Sequence, residues 1–194
     1  PPADPDNRFN SYHIFSSPSP SGPFTQIDSL FNINTLSYTH TGAGANNGPV
    51  YYFIKTRSGC EGRVFSSPSD TLRSLYLNVS DAGAGEIKLQ WNPLRQPNLN
   101  STQLPYQVSK QVESGSFQAS GTSFTTDFSD FMQGCLQNIF YVVSVPDQSG
   151  CFSISSIDGG PFSNDQSPAM PESDSVSVVY SNNNMVLSWP QSPS

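Results

Sequence analysis

The chain has 194 residues, 12% of them charged, with 8 Lys+Arg against 15 Asp+Glu and a formal net charge of −7. So few basic residues exclude an electrostatic footprint for nucleic acid or an anionic membrane, and no apolar run of about 18 residues could span a bilayer. Aromatic residues at 12% and plentiful β-branched residues argue for a folded chain, its surface built from Ser, Thr, Asn and Gln rather than from charge. The opening Pro1-Pro2-Ala3-Asp4-Pro5 has no initiator Met or signal peptide and reads as the interior of a longer polypeptide.

Period-2 alternation dominates, and no long stretch keeps apolar residues at helical spacing without Gly or Pro intruding. In chain order, Tyr12 and Ile14 alternate with Ser11 and His13. Ile87, Leu89 and Trp91 then face one way while Glu86, Lys88 and Gln90 face the other, the pattern of a half-buried antiparallel strand. Tyr106 and Val108 alternate with Gln107 and Ser109; Tyr141, Val143 and Val145 with Phe140, Val142 and Ser144; Val176, Val178 and Tyr180 with Ser175, Ser177 and Val179. Gly, Pro, Asn and Ser clusters separate these segments at short spacing, as an all-β sandwich requires.

The pattern repeats with a period of roughly 90–100 residues, the size of one small domain. Tyr12-His13-Ile14-Phe15 matches Tyr106-Gln107-Val108-Ser109, and Gly22-Pro23-Phe24 matches Gly115-Ser116-Phe117. Tyr51-Tyr52-Phe53-Ile54 matches Phe140-Tyr141-Val142-Val143, Ser58-Gly59-Cys60 matches Ser149-Gly150-Cys151, and Leu89-Gln90-Trp91 returns as Leu187-Ser188-Trp189.

A strand ending in Leu-x-Trp, then Tyr-x-Val, then a Tyr-rich strand running into a Ser-Gly turn, resembles the fibronectin type III member of the immunoglobulin-like sandwiches. The resemblance covers essentially the whole chain. The segments SSPSPSGPFTQI, SSPSDTLRSLYL, CLQNIFYVVSVPDQSGC and SPAMPESDSVSVVYSNNNMVLSWPQSP are also similar to gliding-motility-associated C-terminal-domain proteins. Those are large surface proteins secreted by gliding bacteria, usually through the type IX system. The resemblance implies tandem modules: residues 1–74 a partial one with strands C to G but no A or B, 75–164 a complete one, and 165–194 a linker with strands A and B of a third. The core expected of these modules is Trp91, Trp189, Leu89, Leu187, Tyr52, Tyr141, Tyr12 and Tyr106. Ser66–Ser80 runs without a linker, Leu75, Leu77 and Val79 already alternating as strand A, which implies a nearly fixed junction, whereas Asp165–Pro171 is a proline-stiffened linker.

Chemistry finds little to work with. His13 and His40 are expected on different sheets, at the surface or the core edge, leaving no base for a Ser nucleophile. Gly-x-Ser-x-Gly is absent. Asp127 and Asp130 flank Phe128, and in an open loop both would be solvated rather than act as a glycosidase pair or a Ca²⁺ site. Cys60, Cys135 and Cys151 form no Cys-x-x-Cys or Cys/His cluster, so no zinc site is expected. Cys135 and Cys151 flank strand F, roughly ten residues at about 3.3 Å each, on the order of 30 Å apart. A disulfide needs roughly 6 Å, so free thiols are expected unless residues 131–137 fold back along the strand. Phe15, Phe24, Tyr51, Phe53 and Phe140 could form a sugar-stacking platform or simply cross-strand pairs.

The resemblance further implies extracellular or cell-surface export, and O-glycosylation where Asp precedes Ser29, Thr71 and Ser175. The expectation is a non-catalytic stalk or filament-forming repeat with no cofactor, no metal, no nucleic-acid partner and no membrane insertion. The alternatives are a carbohydrate- or protein-binding adhesin module and an accessory stalk of a secreted hydrolase. Its expected partners are other modules of the same protein or further copies of itself, the latter joined head to tail by residues 173–190 completing the first module.

Overall fold

The computed structural model describes residues 7–164, 174–179, 181–182 and 184–188. Among these the chain is all-β, relieved by one short 3-10 turn at Cys60–Gly62. Its strands are β1 (Phe9–Ser17), β2 (Thr25–Leu30), β3 (Tyr51–Ser58), β4 (Val64–Phe65), β5 (Leu72–Arg73), β6 (Leu77–Gly83), β7 (Glu86–Trp91), β8 (Tyr106–Val112), β9 (Gln118–Ser123), β10 (Asp127–Phe131), β11 (Leu136–Pro146), β12 (Phe152–Ile154), β13 (Asp158–Ser163), β14 (Ser175–Val179) and β15 (Asn184–Ser188).

Residues 75–164 form a sandwich. One layer is the three-stranded sheet β10-β7-β6, strands E, B and A of the sandwich; the other runs β12-β11-β8-β9 with β13 also on β11, strands G, F, C and C′. Alternation drives the closure. Ile87, Leu89 and Trp91 point from β7 onto Tyr106, Val108, Tyr141, Val143 and Val145 of the facing sheet, and none of these is more than 6% exposed. Trp91 meets Tyr106 edge to face, ring centroids 5.4 Å apart. The partners of the repeat thus meet as the alternation places them.

Residues 7–74 form one layer, β2-β1-β3-β4, with β5 also pairing β3. The pairing repeats that of the second unit: Ile14 opposes Ile54 across β1–β3, as Val108 opposes Val143 across β8–β11. A strand E in this first unit, which the alternation of Leu36, Tyr38 and His40 suggests, does not form, and residues 31–50 contain no strand. In the second unit strand E (β10) hydrogen-bonds to strand B (β7), and among the described residues no strand stands in that place beside 31–50.

The join is continuous. Arg73 ends β5, and two residues on Leu75, 2% exposed, already lies in the second unit's core. The Ser74 amide donates to the Val50 carbonyl at 2.9 Å, and the Val50 amide to Ser74 Oγ at 3.0 Å. From the other side the Arg73 amide donates to the Leu94 carbonyl at 2.9 Å, Arg73 Nε to the Pro93 carbonyl at 2.6 Å, and Asn92 Nδ2 to the Ser74 carbonyl at 2.9 Å. The expected linker 165–171 lies outside the described residues. Beyond it β14 and β15 pair only with each other.

Candidate interaction surface

The expected core residues divide by what covers them. Trp91, Leu89, Tyr106 and Tyr141 are sealed between two layers, whereas Tyr12 and Tyr52 are half-buried on the inner face of the first sheet. Leu187, expected in a core, is instead 59% exposed, because among the described residues no second sheet lies across the β14–β15 hairpin. Trp189 lies outside the described residues.

The inner face of the first sheet is a groove of about 400 Å³ lined by Tyr12, Ile14, Leu36, Tyr38, Ile54 and Thr56, with Ser66, Ser67 and Ser69 at its rim. Its floor alternates correctly for a core, but its roof is missing. Ile54 is 45% exposed and Leu36 71%. Two tyrosines tether the segment that crosses it: Tyr12 Oη donates to the Ile33 carbonyl at 3.0 Å, and Tyr52 Oη bonds His40 Nδ1 at 2.9 Å. Burial raises the Tyr52 phenol above its ordinary value. These bonds hold the 31–40 segment beside the groove without closing it.

His13 occupies the opposite face of the first sheet, where it is buried. Its Nε2 bonds Ser11 Oγ at 2.9 Å, Nδ1 lies 3.0 Å from both Gln26 Oε1 and Ser29 Oγ, and the Phe65 ring covers it edge-on at 5.0 Å. The structure therefore does bring a serine to a histidine, two residues apart on one face of β1, an i, i+2 relation that the alternation contains. Ser11 has no exposed surface, so no substrate carbonyl can reach its Oγ in this conformation.

The two carboxylates do not sit in an open loop; both belong to β10. Asp127 is exposed. Asp130 points inward at the sandwich edge, where its Oδ2 accepts from Lys110 Nζ at 2.7 Å, Tyr141 Oη at 2.9 Å and Ser120 Oγ at 3.3 Å. Desolvation pushes the Asp130 carboxyl up, but the Lys110 ammonium, the Tyr141 hydroxyl and the Phe131 amide outweigh it and hold it below the usual carboxylate range. Burial, then the Asp130 charge, drives the Tyr141 phenol far above its ordinary value. A carboxylate this saturated with donors works as a structural clasp between strands C, E and F.

The aromatic platform is partly assembled. Phe15 and Phe53 stack at 4.8 Å, Phe24 joins Phe53 at 4.8 Å, and Lys55 Nζ sits 5.7 Å from the Phe15 ring centre. Tyr51 instead pairs with Arg73 at the junction, and Phe140 lies on the second unit opposite Gln111. Of the glycosylation candidates, Thr71 and Ser175 are exposed, whereas Ser29 is half-buried with its hydroxyl engaged by His13. The thiols of Cys60, Cys135 and Cys151 are free and exposed, the last two beyond opposite ends of β11. Among the described residues no group of three or more His, Cys, Asp or Glu is placed to hold a metal ion. No protein-family model and no curated protein matches the chain.

Proposed function

We propose that this chain is a non-catalytic structural segment of a secreted cell-surface protein, a stalk of β-sandwich units that carries other parts away from the cell. The observation behind the reading is the junction. Strand β5 of the first unit continues into strand A of the second within two residues, and Arg73, Ser74 and Asn92 hydrogen-bond it from both sides. A spacer needs such a join, because a flexible one would let the units fold back on each other. The charge-poor Ser- and Asn-rich surface and the resemblance to surface proteins of gliding bacteria support the extracellular setting.

Nuclear relaxation on the purified chain tests the reading. Residues 7–74 and 75–164 should tumble as one elongated body, and four Gly-Ser residues inserted after Ser74 should uncouple them. Independent tumbling of the uninserted chain would contradict a stalk. A second reading, a carbohydrate-binding adhesin module, draws on the half-exposed Phe15–Phe24–Phe53 cluster; retention of a glycan on an array, lost on Phe53→Ala, would favour it.

A further inference from the structure

Among the described residues no second layer faces the inner side of the first unit's sheet, and no sheet faces the hairpin β14–β15. We propose that the β14–β15 hairpin of one copy of this chain docks on the open groove of a second copy, in the place that strands A and B take over the second unit's facing sheet. The inference rests on the structural reading above and names the partner of that segment.

The second unit displays the docked arrangement within one chain. There the hairpin β6–β7 lies over the face containing Val108 and Val143, and Ile87 and Leu89 become fully buried. The hairpin β14–β15 repeats that register: Val176 opposes Leu187 as Val79 opposes Leu89. Met185 therefore stands where Ile87 stands, two residues before the equivalent leucine. Yet Val176, Met185 and Leu187 are 56%, 70% and 59% exposed. Residues 175–188 contain no charged side chain, and the carboxylate on the groove's face, Asp28 opposite Ile14, already has the Tyr38 hydroxyl as a hydrogen-bond partner, so docking need not strand an unpaired charge in an apolar interface.

Geometry favours a second copy over the hairpin's own chain. Strand A runs away from the first unit, and Gly85, just beyond its far end, packs against Asn164. The eight steps from Leu75 to Gly83 span about 26 Å. To act as strand A of its own first unit, Asp174 would have to return past that length and along half of β1 (Phe9–Ser17), together on the order of 40 Å. The ten steps from Asn164 to Asp174 reach at most about 35 Å when fully stretched. Joining a hairpin at one end to a groove at the other is a heterologous contact that does not close on itself, so it propagates as a filament. Docked β15 would also give residues 36–40 the strand partner that β7 gives β10.

Sedimentation velocity on the purified chain over a wide concentration range tests this. Wild type should form a ladder of head-to-tail oligomers. Ile54→Asp in the groove and Leu187→Asp on the hairpin should each weaken association by at least about tenfold. Mixed together, the two variants should form 1:1 dimers and stop there, because one keeps an intact hairpin and the other an intact groove. Met185→Lys, at a position 70% exposed, repeats the hairpin arm without threatening the second unit's fold. A monomer at every concentration, or oligomers indifferent to both Ile54→Asp and Leu187→Asp, overturns the proposal and leaves the groove to a segment of the same polypeptide or to another protein. A monomer whose units still tumble together would refute the docking while leaving the stalk reading intact.

Discussion

Ile54 and Val143 occupy the same position in two copies of one strand, each opposite the repeat's equivalent of the other's partner, yet Val143 is fully buried and Ile54 is 45% exposed. The difference lies entirely in what faces them. Leu89 and Trp91 roof the Val143 side, and nothing among the described residues roofs Ile54. Removing methyl groups should therefore cost unequally. Val143→Ala should destabilise the second unit by about 2 kcal/mol through lost burial and a cavity, while Ile54→Ala in the dilute chain should cost less than about 1 kcal/mol. Urea unfolding of both variants at low protein concentration reads the contrast.

Trp91 packs between the two sheets at 6% exposure, but its Nε1 is buried without a hydrogen-bond partner. Trp91→Ala should cost about 3–5 kcal/mol. Trp91→Phe keeps most of the packing and removes the orphaned donor, whose desolvation costs about 1–3 kcal/mol. It should therefore retain most of the stability. Thermal unfolding of the two variants checks the order.

The Asp130 clasp contributes to the pH behaviour of the second unit, alongside Glu113 and Asp147, whose carboxyls hydrogen bonds also hold below the usual range. Its folded carboxyl titrates below the unfolded value of about 4, so its stabilisation is complete above that value and is lost as pH falls through the folded one. Tyr141 has the opposite sign: its phenol is raised, so its contribution is complete below the unfolded value of about 10 and fades as pH climbs above it. Asp130→Asn should be less stable at neutral pH and should flatten the acid limb; Tyr141→Phe should flatten the alkaline limb. Urea midpoints between pH 2 and 11 measure both.

Two adjacent glycines in β13 should respond oppositely to alanine. Gly159 has φ +144°, and a Cβ there would lie 2.1 Å from the Ile139 carbonyl oxygen, whereas a Cβ on Gly160 meets nothing within 4 Å. Gly159→Ala should loosen the β11–β13 pairing by more than about 2 kcal/mol, and Gly160→Ala should change stability by less than about 1 kcal/mol. Amide exchange along β11 distinguishes them.

The fold class was legible because it depends on alternation, a local property: Glu86–Trp91 announces which side faces the core before any partner is known. The repeat then relates Tyr12 to Tyr106 and Ile54 to Val143. What alternation cannot show is which positions have a partner across the gap. Leu36, Tyr38 and His40 alternate like a strand, but strand E forms only against strand B. Asp130 looks solvated beside Asp127 because its donors, Lys110 and Tyr141, come from other strands of the opposite sheet. The Ser11–His13 contact was within reach, since i, i+2 residues share a face; its burial by Phe65 and Gln26 was not.

A stalk bears tension along its length, so pulling the chain by its ends reads the proposed role at first hand. A load-bearing sandwich unit should hold until a single cooperative event releases about 300 Å of contour for residues 75–164, and Trp91→Ala should lower the force at which that happens. Gradual extension at low force, with no discrete event and no dependence on Trp91, would contradict a load-bearing role.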